Sequence, residues 1–314
     1  MTRAFIFPGQ GSQSVGMGAD LYATFPEARE VFEEIDESLG QNLSKLIFEG
    51  PEEDLNLTEN TQPALMAVSM AVVQVLKKQG GINFKTAARF VAGHSLGEYA
   101  ALTAAESFTI ADAARLLKLR GQAMQKAVPV GIGSMAAIIG PSFEDVQAIA
   151  QEAAGSDICA AANDNSVGQV VVSGHKDAVA RAVELATERG AKKAVTLPVS
   201  APFHCALMQP AADAMAEALA ATDIKTPILP VVANVTAAAT SDPDEIRKLL
   251  VEQVTGTVRW RESVLYMKDQ GVSEMIELGA GKVLCGLVRR IDRDISCANA
   301  GSPEEIESLI ERFK

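Results

Sequence analysis

Gly93-His94-Ser95-Leu96-Gly97 follows the short apolar run Phe90-Val91-Ala92 and precedes the alanine-rich stretch Glu98-Tyr99-Ala100-Ala101-Leu102. Apolar strand, tight G-x-S-x-G turn, then helix is the layout of a nucleophile elbow. A serine on so sharp a turn sits in a strained backbone, so small residues must flank it. Its hydroxyl then stands clear of the sheet, at the positive end of the following helix. The backbone N–H of Leu96 points to where an oxyanion would form. A Gly-bounded turn with no chemistry is the competing reading, and the strand and helix on either side argue against it.

The chain has 314 residues and is 48% hydrophobic. That is enough for one large domain or two unequal ones. No apolar run approaches membrane-spanning length. Met1-Thr2-Arg3-Ala4-Phe5 enters an apolar strand at once, without signal-peptide architecture. The net charge of −12 argues against general nucleic-acid binding. Cys159, Cys205, Cys285 and Cys297 show neither metal-ligand nor CxxC spacing. They are expected as reduced thiols of a cytoplasmic protein.

From the elbow the pattern extends both ways. Residues 4–7 read as a strand that runs into Pro8-Gly9-Gln10-Gly11-Ser12-Gln13. Gly9-x-Gly11 lacks the third glycine and the distant acid of a dinucleotide fingerprint. Helical patterns fill 19–39 and 61–79, and strand 88–92 delivers the elbow. After Pro129, strand 134–139, helix 142–154, strands 157–162 and 169–173, helix 176–189 and strand 193–199 form a βαββαβ order, the ferredoxin-like unit. Beyond it come helix 205–221, a strand near 230–235, helices 243–253 and 258–270, strand 273–278, a further helix, and helix 302–313. The predicted architecture is α/β. A parallel-sheet, α/β-hydrolase-like main domain spans 1–127 and 201–314, and a smaller ferredoxin-like domain is inserted at 128–200. Two connections to the main body predict hinge-like motion.

The helix near 110–126 places Ala113, Leu116, Leu117 and Met124 on one apolar face, with Thr109 and Asp112 as a capping box. Arg120 projects from the middle of that face, whereas Arg115 and Lys118 fall on the opposite, solvated side. A buried guanidinium cannot shed its charge and needs an anion. An internal carboxylate is one candidate; a ligand carboxylate or phosphate gripped bidentately is the other.

A nucleophilic serine needs a general base. His94 adjoins Ser95 in the elbow and is expected to point into packing. His175 opens a helix of the smaller domain and reads as a surface residue near its cap. His204, in Pro202-Phe203-His204, stands where the chain re-enters the main domain, beside the expected cleft, and is the candidate base. An α/β-hydrolase keeps its histidine near the C-terminus, after a triad acid. Here 110 residues follow His204 and no convincing acid precedes it. A backbone carbonyl can hold the imidazole instead.

Taken together, Phe7-Pro8-Gly9-Gln10-Gly11-Ser12-Gln13, Gly93-His94-Ser95-Leu96-Gly97-Glu98-Tyr99, Arg120-Gly121-Gln122-Ala123-Met124, Gln169-Val170-Val171-Val172-Ser173-Gly174 and Pro202-Phe203-His204 resemble the malonyl-CoA:acyl carrier protein transacylases, nearly end to end. Asn165-Ser166-Val167-Gly168 departs mildly, because that family usually has proline after Asn-Ser. The resemblance implies Ser95 as nucleophile, His204 as base and Arg120 as clamp for the malonyl carboxylate. It implies an oxyanion hole from the backbone N–H groups of Gln10 and Leu96, and a main-chain carbonyl of Gln253 that orients His204. It implies malonyl-CoA and acyl carrier protein as partners, transfer without cofactor or metal, and a place in fatty acid synthesis. A monomer that binds neither nucleic acid nor membrane is the expected form. An esterase or thioesterase using the same serine and histidine, and a silent carrier-binding scaffold, are the competing functions. Arg115, Lys118, Arg189, Lys192 and Lys193 are the candidate docking patch for an acidic carrier.

Overall fold

The computed structural model describes residues 2–199 and 201–314. Met1, which opens the first strand's sequence, and Ser200, the last residue of the expected insertion, lie outside them. Among the described residues the strands are β1 (Arg3–Phe7), β2 (Phe90–Gly93), β3 (Gly133–Ile139), β4 (Cys159–Ser166), β5 (Gln169–His175), β6 (Lys193–Thr196), β7 (Val231–Ala233), β8 (Ala238–Thr240), β9 (Glu274–Leu278) and β10 (Ser296–Ala300).

Six strands make the main sheet in the order β10-β9-β1-β2-β7-β8. All neighbours pair in parallel except β7 and β8. Residues 4–7 of β1, and β2 and β7, are apolar on both faces, as a sheet covered on both sides requires, whereas β9 also buries Glu274 and Glu277. Phe5, Phe7, Val91, Val231 and Ile276 face one core, with the long helix Thr58–Lys78. Ala4, Ile6, Ala92, Val232 and Met275 face the other, around Trp260. The register places Phe5 opposite Val91 and Phe7 opposite Gly93. The loops leaving β1, β2 and β7 therefore emerge side by side at the carboxyl edge, where open α/β sheets bind ligands.

The second sheet runs β4-β5-β3-β6, all antiparallel, with helices Phe143–Ala154 and Lys176–Glu188 over its own apolar core. This is the predicted βαββαβ unit. It is tied to the main body by more than its two chain connections. The N–H of Asp164 donates to Val258 O at 2.9 Å, and that of Val258 donates to Ala162 O at 2.8 Å. The buried Asp164 carboxylate also takes the Arg261 guanidinium at 2.9 Å. The pairing of β4 with β5 shifts register between Ala161 and Asn163, in the stretch that makes these contacts.

Several boundaries differ from the sequence reading. The pattern over 19–39 is two helices, Ala19–Thr24 and Pro26–Leu39, because Pro26 holds Phe25 extended. Thr109 caps Ile110–Ala127 by accepting from Asp112 N–H at 3.0 Å. Strands β8 and β10 go unread in sequence; Ala238–Thr240 is three residues long, and Ser296–Ala300 lacks branched or aromatic residues. The cysteine expectation fails for one pair. Cys285 and Cys297 are disulfide-bonded, their Cα atoms 5.4 Å apart. Helix Val283–Ile291 packs across β10 and brings them together, which a spacing of 12 residues does not announce. Cys159 and Cys205 are free and buried, as expected.

Candidate active site

The elbow forms as its sequence demands. Ser95 holds φ 53°, in the left-handed region. A Cβ at Gly93 would collide with the carbonyl of Gly97, and one at Gly97 with the carbonyl of Phe7, so only glycine fits at either position. The second contact also seats the loop after β1 against the elbow. Helix Gly97–Ala104 then starts directly behind the serine.

His204 also holds a positive φ, 58°. Its Nε2 lies 2.8 Å from Ser95 Oγ, and its Nδ1 lies 2.8 Å from the main-chain oxygen of Gln253. A carbonyl only accepts, so Nδ1 carries the proton and Nε2 presents a lone pair to the serine hydroxyl. Gln253 sits in the last turn of helix Pro243–Thr255, where carbonyls lack intrahelical donors, so its oxygen is free for the imidazole. Burial pushes the His204 pKa down to about 3, and the nearby Arg120 charge pushes the same way. The imidazole is therefore unprotonated at Nε2 across the neutral range, its lone pair free to take a proton.

Arg120 is buried on the apolar face of Ile110–Ala127, as its position on the helix predicts. Its Nη1 donates to Gln62 Oε1 at 2.7 Å, and its Nη2 to Gln253 Oε1 at 2.9 Å and to Ser95 Oγ at 3.2 Å. The Tyr99 ring lies 5.8 Å from its Cζ. Among the described residues no carboxylate lies within ion-pair distance of it. Of the two anions the sequence leaves open, the internal one is thus not in contact. The guanidinium is held by neutral oxygens and directed at the serine, an arrangement suited to an incoming carboxylate.

A cleft of about 550 Å³ opens over these groups, lined by Gln10, Leu96, Ser95, Arg120 and His204 from the main body and by Met135, Asn163, Asn165 and Val171 from the second sheet. Gln10 and Leu96 thus border the same space as the serine. Gln10 is anchored by Thr58 Oγ1, which donates to its Oε1 at 3.2 Å. His94 does not simply vanish into packing. Its ring lies against Trp260, and its Nε2 meets Asn165 Oδ1 at 2.8 Å, joining the elbow to β4 across the cleft floor. His175 stands apart, its Nδ1 accepting from Ile158 N–H at 2.9 Å.

Sequence reasoning passed over Gln62, Asn234 and the buried Glu98. Asn234 follows β7 and spans the elbow: its Oδ1 accepts from Ser95 N–H at 2.8 Å, and its Nδ2 donates to Gly93 O at 2.7 Å. Glu98 stands in the quoted motif as the one acid in an otherwise apolar helix turn, a signal that could have been read. Nothing local marks Asn234. The docking patch narrows too. Arg115 pairs with Asp112 and Arg189 with Glu152. Lys118 is half-buried against Glu59 and Asn60 rather than solvated. Lys192 and Lys193 are exposed.

Comparison with known proteins agrees with this geometry. Residues 4–307 match the family model described as acyl transferase domain. The malonyl CoA-acyl carrier protein transacylase of Escherichia coli K12 is 46% identical over 308 residues, 98% of each chain. The crystal structure of an acyl-carrier-protein S-malonyltransferase from Bartonella henselae superposes with a TM-score of 0.97 at 55% identity, covering 100% of this chain and 99% of that one. A type II PKS acyl-carrier protein in complex with its malonyl-transacylase gives 0.96 at 43%, covering 99% and 100%. With its serine–histidine pair, its buried arginine and this end-to-end similarity, the chain belongs to the acyl transferase family, among the malonyl CoA-acyl carrier protein transacylases.

Proposed function

We propose that this chain moves a malonyl group from coenzyme A to the phosphopantetheine thiol of an acyl carrier protein, through a malonyl ester on Ser95, and so supplies fatty acid synthesis. One observation carries the reading: the Arg120 guanidinium, buried among neutral partners, reaches Ser95 Oγ at 3.2 Å. A donor whose acyl group ends in a carboxylate satisfies that charge while its thioester carbon meets the serine; an acetyl donor leaves the guanidinium unpaired.

In the first half-reaction His204 Nε2 takes the Ser95 proton as Oγ attacks the thioester carbon. The oxyanion is received by the backbone N–H groups of Gln10 and Leu96. Collapse breaks the C–S bond, and the imidazolium returns the proton to the departing coenzyme A sulfur. In the second half the carrier thiol gives its proton to His204 and its sulfur attacks the acyl carbon. The ester bond to Oγ breaks, and His204 reprotonates the serine. The Gln253 carbonyl holds Nδ1–H throughout and steadies the imidazolium.

We further infer that residues 128–200 act as a separate lobe forming one wall of the cleft, and that the working form is a cytoplasmic monomer binding neither membrane nor nucleic acid. Among the described residues no helix is long and apolar enough to cross a membrane. Transfer to pantetheine, compared with hydrolysis, tests the reading: malonyl-pantetheine should form far faster than free malonate. Dominant hydrolysis would make the protein a thioesterase.

A further inference from the structure

Beneath the elbow three buried side chains form one hydrogen-bonded unit. Glu98 comes from the first turn of helix Gly97–Ala104, Asn234 from the position just after β7 and Gln253 from the last turn of Pro243–Thr255. Their exposures are 2%, 0% and 1%. Glu98 Oε2 accepts from the N–H of Asn234 and from Gln253 Nε2, both at 2.9 Å. The same Nε2 approaches Ser95 O at 3.0 Å and Asn234 Oδ1 at 3.2 Å. These neighbours accept, so the amide nitrogen belongs on this side and its oxygen on the other. That oxygen is the one 2.9 Å from Arg120 Nη2. A turned amide would set oxygen against carboxylate and NH₂ against guanidinium. Of the acceptors holding the nitrogen, Glu98 is the carboxylate and the strongest.

We propose that Glu98 is a positioning residue for carboxylate-bearing donors: by holding the Gln253 nitrogen it turns the amide oxygen onto Arg120 and aims the guanidinium at the space beside Ser95 Oγ. The proposal rests on the reading of Arg120 as the carboxylate clamp. Glu98 acts through Gln253 and touches no substrate. Its effect falls on the choice between donors, because His204 is held by the main chain of Gln253 and not by its side chain. Burial pushes the Glu98 carboxyl up to about 7, with the donors and Arg120 pulling it back. Oε2 accepts in either protonation state, so the positioning does not depend on the charge.

The test is the malonyl-to-acetyl ratio of kcat/KM in the full chain, with pantetheine as acceptor. Glu98→Asp keeps the charge but withdraws the oxygen from Gln253. The ratio should fall by about tenfold, with malonyl-CoA KM raised, as for one lost buried hydrogen bond. Glu98→Gln keeps an oxygen at the same place, anchored by the Asn234 N–H, and should hold the ratio within about threefold of wild type. An unchanged ratio in Glu98→Asp overturns the proposal, as does a Glu98→Gln ratio as low as that of Glu98→Asp, which would assign the effect to charge. Gln253→Leu removes the amide from the other side and keeps the main-chain oxygen. It should lower the ratio as Glu98→Asp does, and if Glu98→Asp fails to fold, an intact ratio in Gln253→Leu overturns the proposal by itself. A wild type without malonyl preference defeats the Arg120 reading and the proposal together. A wild-type preference that survives Glu98→Asp defeats the proposal alone.

Discussion

Ser95 Oγ and His204 Nε2 meet at 2.8 Å on the main-body side of the cleft, and both residues hold a left-handed backbone, φ 53° and 58°. A non-glycine residue in that region costs about 1–3 kcal/mol and persists only where its surroundings enforce it. For Ser95 the enforcement is visible: Asn234 clamps the peptide groups on both sides of His94. Asn234→Ala should therefore slow acylation of Ser95 by about tenfold or more, through loss of a buried bond that shapes the nucleophile's backbone. Single-turnover release of coenzyme A measures it. Wild-type rates in a folded Asn234→Ala protein would mean the strand and helix suffice to hold the elbow.

His204 titrates far from the ordinary histidine range. Its imidazole is pushed down to about 3, first by burial and then by the Arg120 charge. The pair should thus keep a neutral base at pH 5.5, where a free histidine is mostly charged. Histidine-selective ¹⁵N spectra of the unliganded protein should show one ring with its Nε2 unprotonated from pH 5.5 to 8. A His204 midpoint near 6.5 would place the imidazole in a wetter or more anionic site than the one described.

Arg120→Ala should shift preference from malonyl towards acetyl donors. Truncating one partner of a buried charge pair costs about 2–5 kcal/mol, here on malonyl transfer alone. Lysine should rescue poorly, because its single nitrogen cannot present the planar fork whose two nitrogens now reach Gln62 and Gln253. Equal losses for malonyl and acetyl donors would make Arg120 a structural residue.

Stability carries a second pH signature. Glu277, fully buried on β9, accepts from the N–H groups of Leu284 and Cys285 at 3.1 and 2.8 Å. Burial nevertheless pushes its carboxyl up to about 7 from an ordinary 4.5, the two amides pulling it back. Between those values the folded protein keeps a proton that the unfolded chain has released. Folding then takes up a proton, and the stability this group contributes falls as pH rises through the window. Glu277→Gln cannot titrate, so its Tm relative to wild type should climb from about pH 5 to about 7.5. A difference that stays flat with pH would contradict the shift.

Lys192 and Lys193 are the exposed members of the candidate carrier patch. The chain carries −12, so attraction to an acidic carrier must be local. Reversing both lysines to glutamate should raise KM for the carrier several-fold, leave transfer to free pantetheine unchanged, and abolish salt sensitivity at the scale of about 8 Å screening. A flat carrier KM would move the docking surface elsewhere, with Lys282, Arg289 and Arg290 next to test.

What the sequence made legible was local. Gly93 through Gly97 announces a turn because only glycine fits its flanks, and Arg120 announces itself by interrupting an apolar helix face. The βαββαβ order could be read because β3, the centre of β5 and the first half of β4 are apolar and glycines punctuate the run. What stayed hidden is tertiary. Gln62, Asn234 and the Gln253 side chain are ordinary amides, and only tertiary packing gives them their partners, Arg120 for Gln62 and the elbow and Glu98 for the other two. The Cys285–Cys297 pair likewise depends on a helix crossing β10, a strand too small and polar to be seen in advance.

The central claim is a malonyl ester on Ser95. Incubation with malonyl-CoA, followed by intact and peptide mass spectrometry, should show one malonyl group per chain, on the peptide carrying Gly93–Gly97. The adduct should be absent from Ser95→Ala and should discharge when a pantetheine thiol is added. A malonyl group that persists in Ser95→Ala, or a wild-type protein that stays unmodified by competent substrate, would contradict the account.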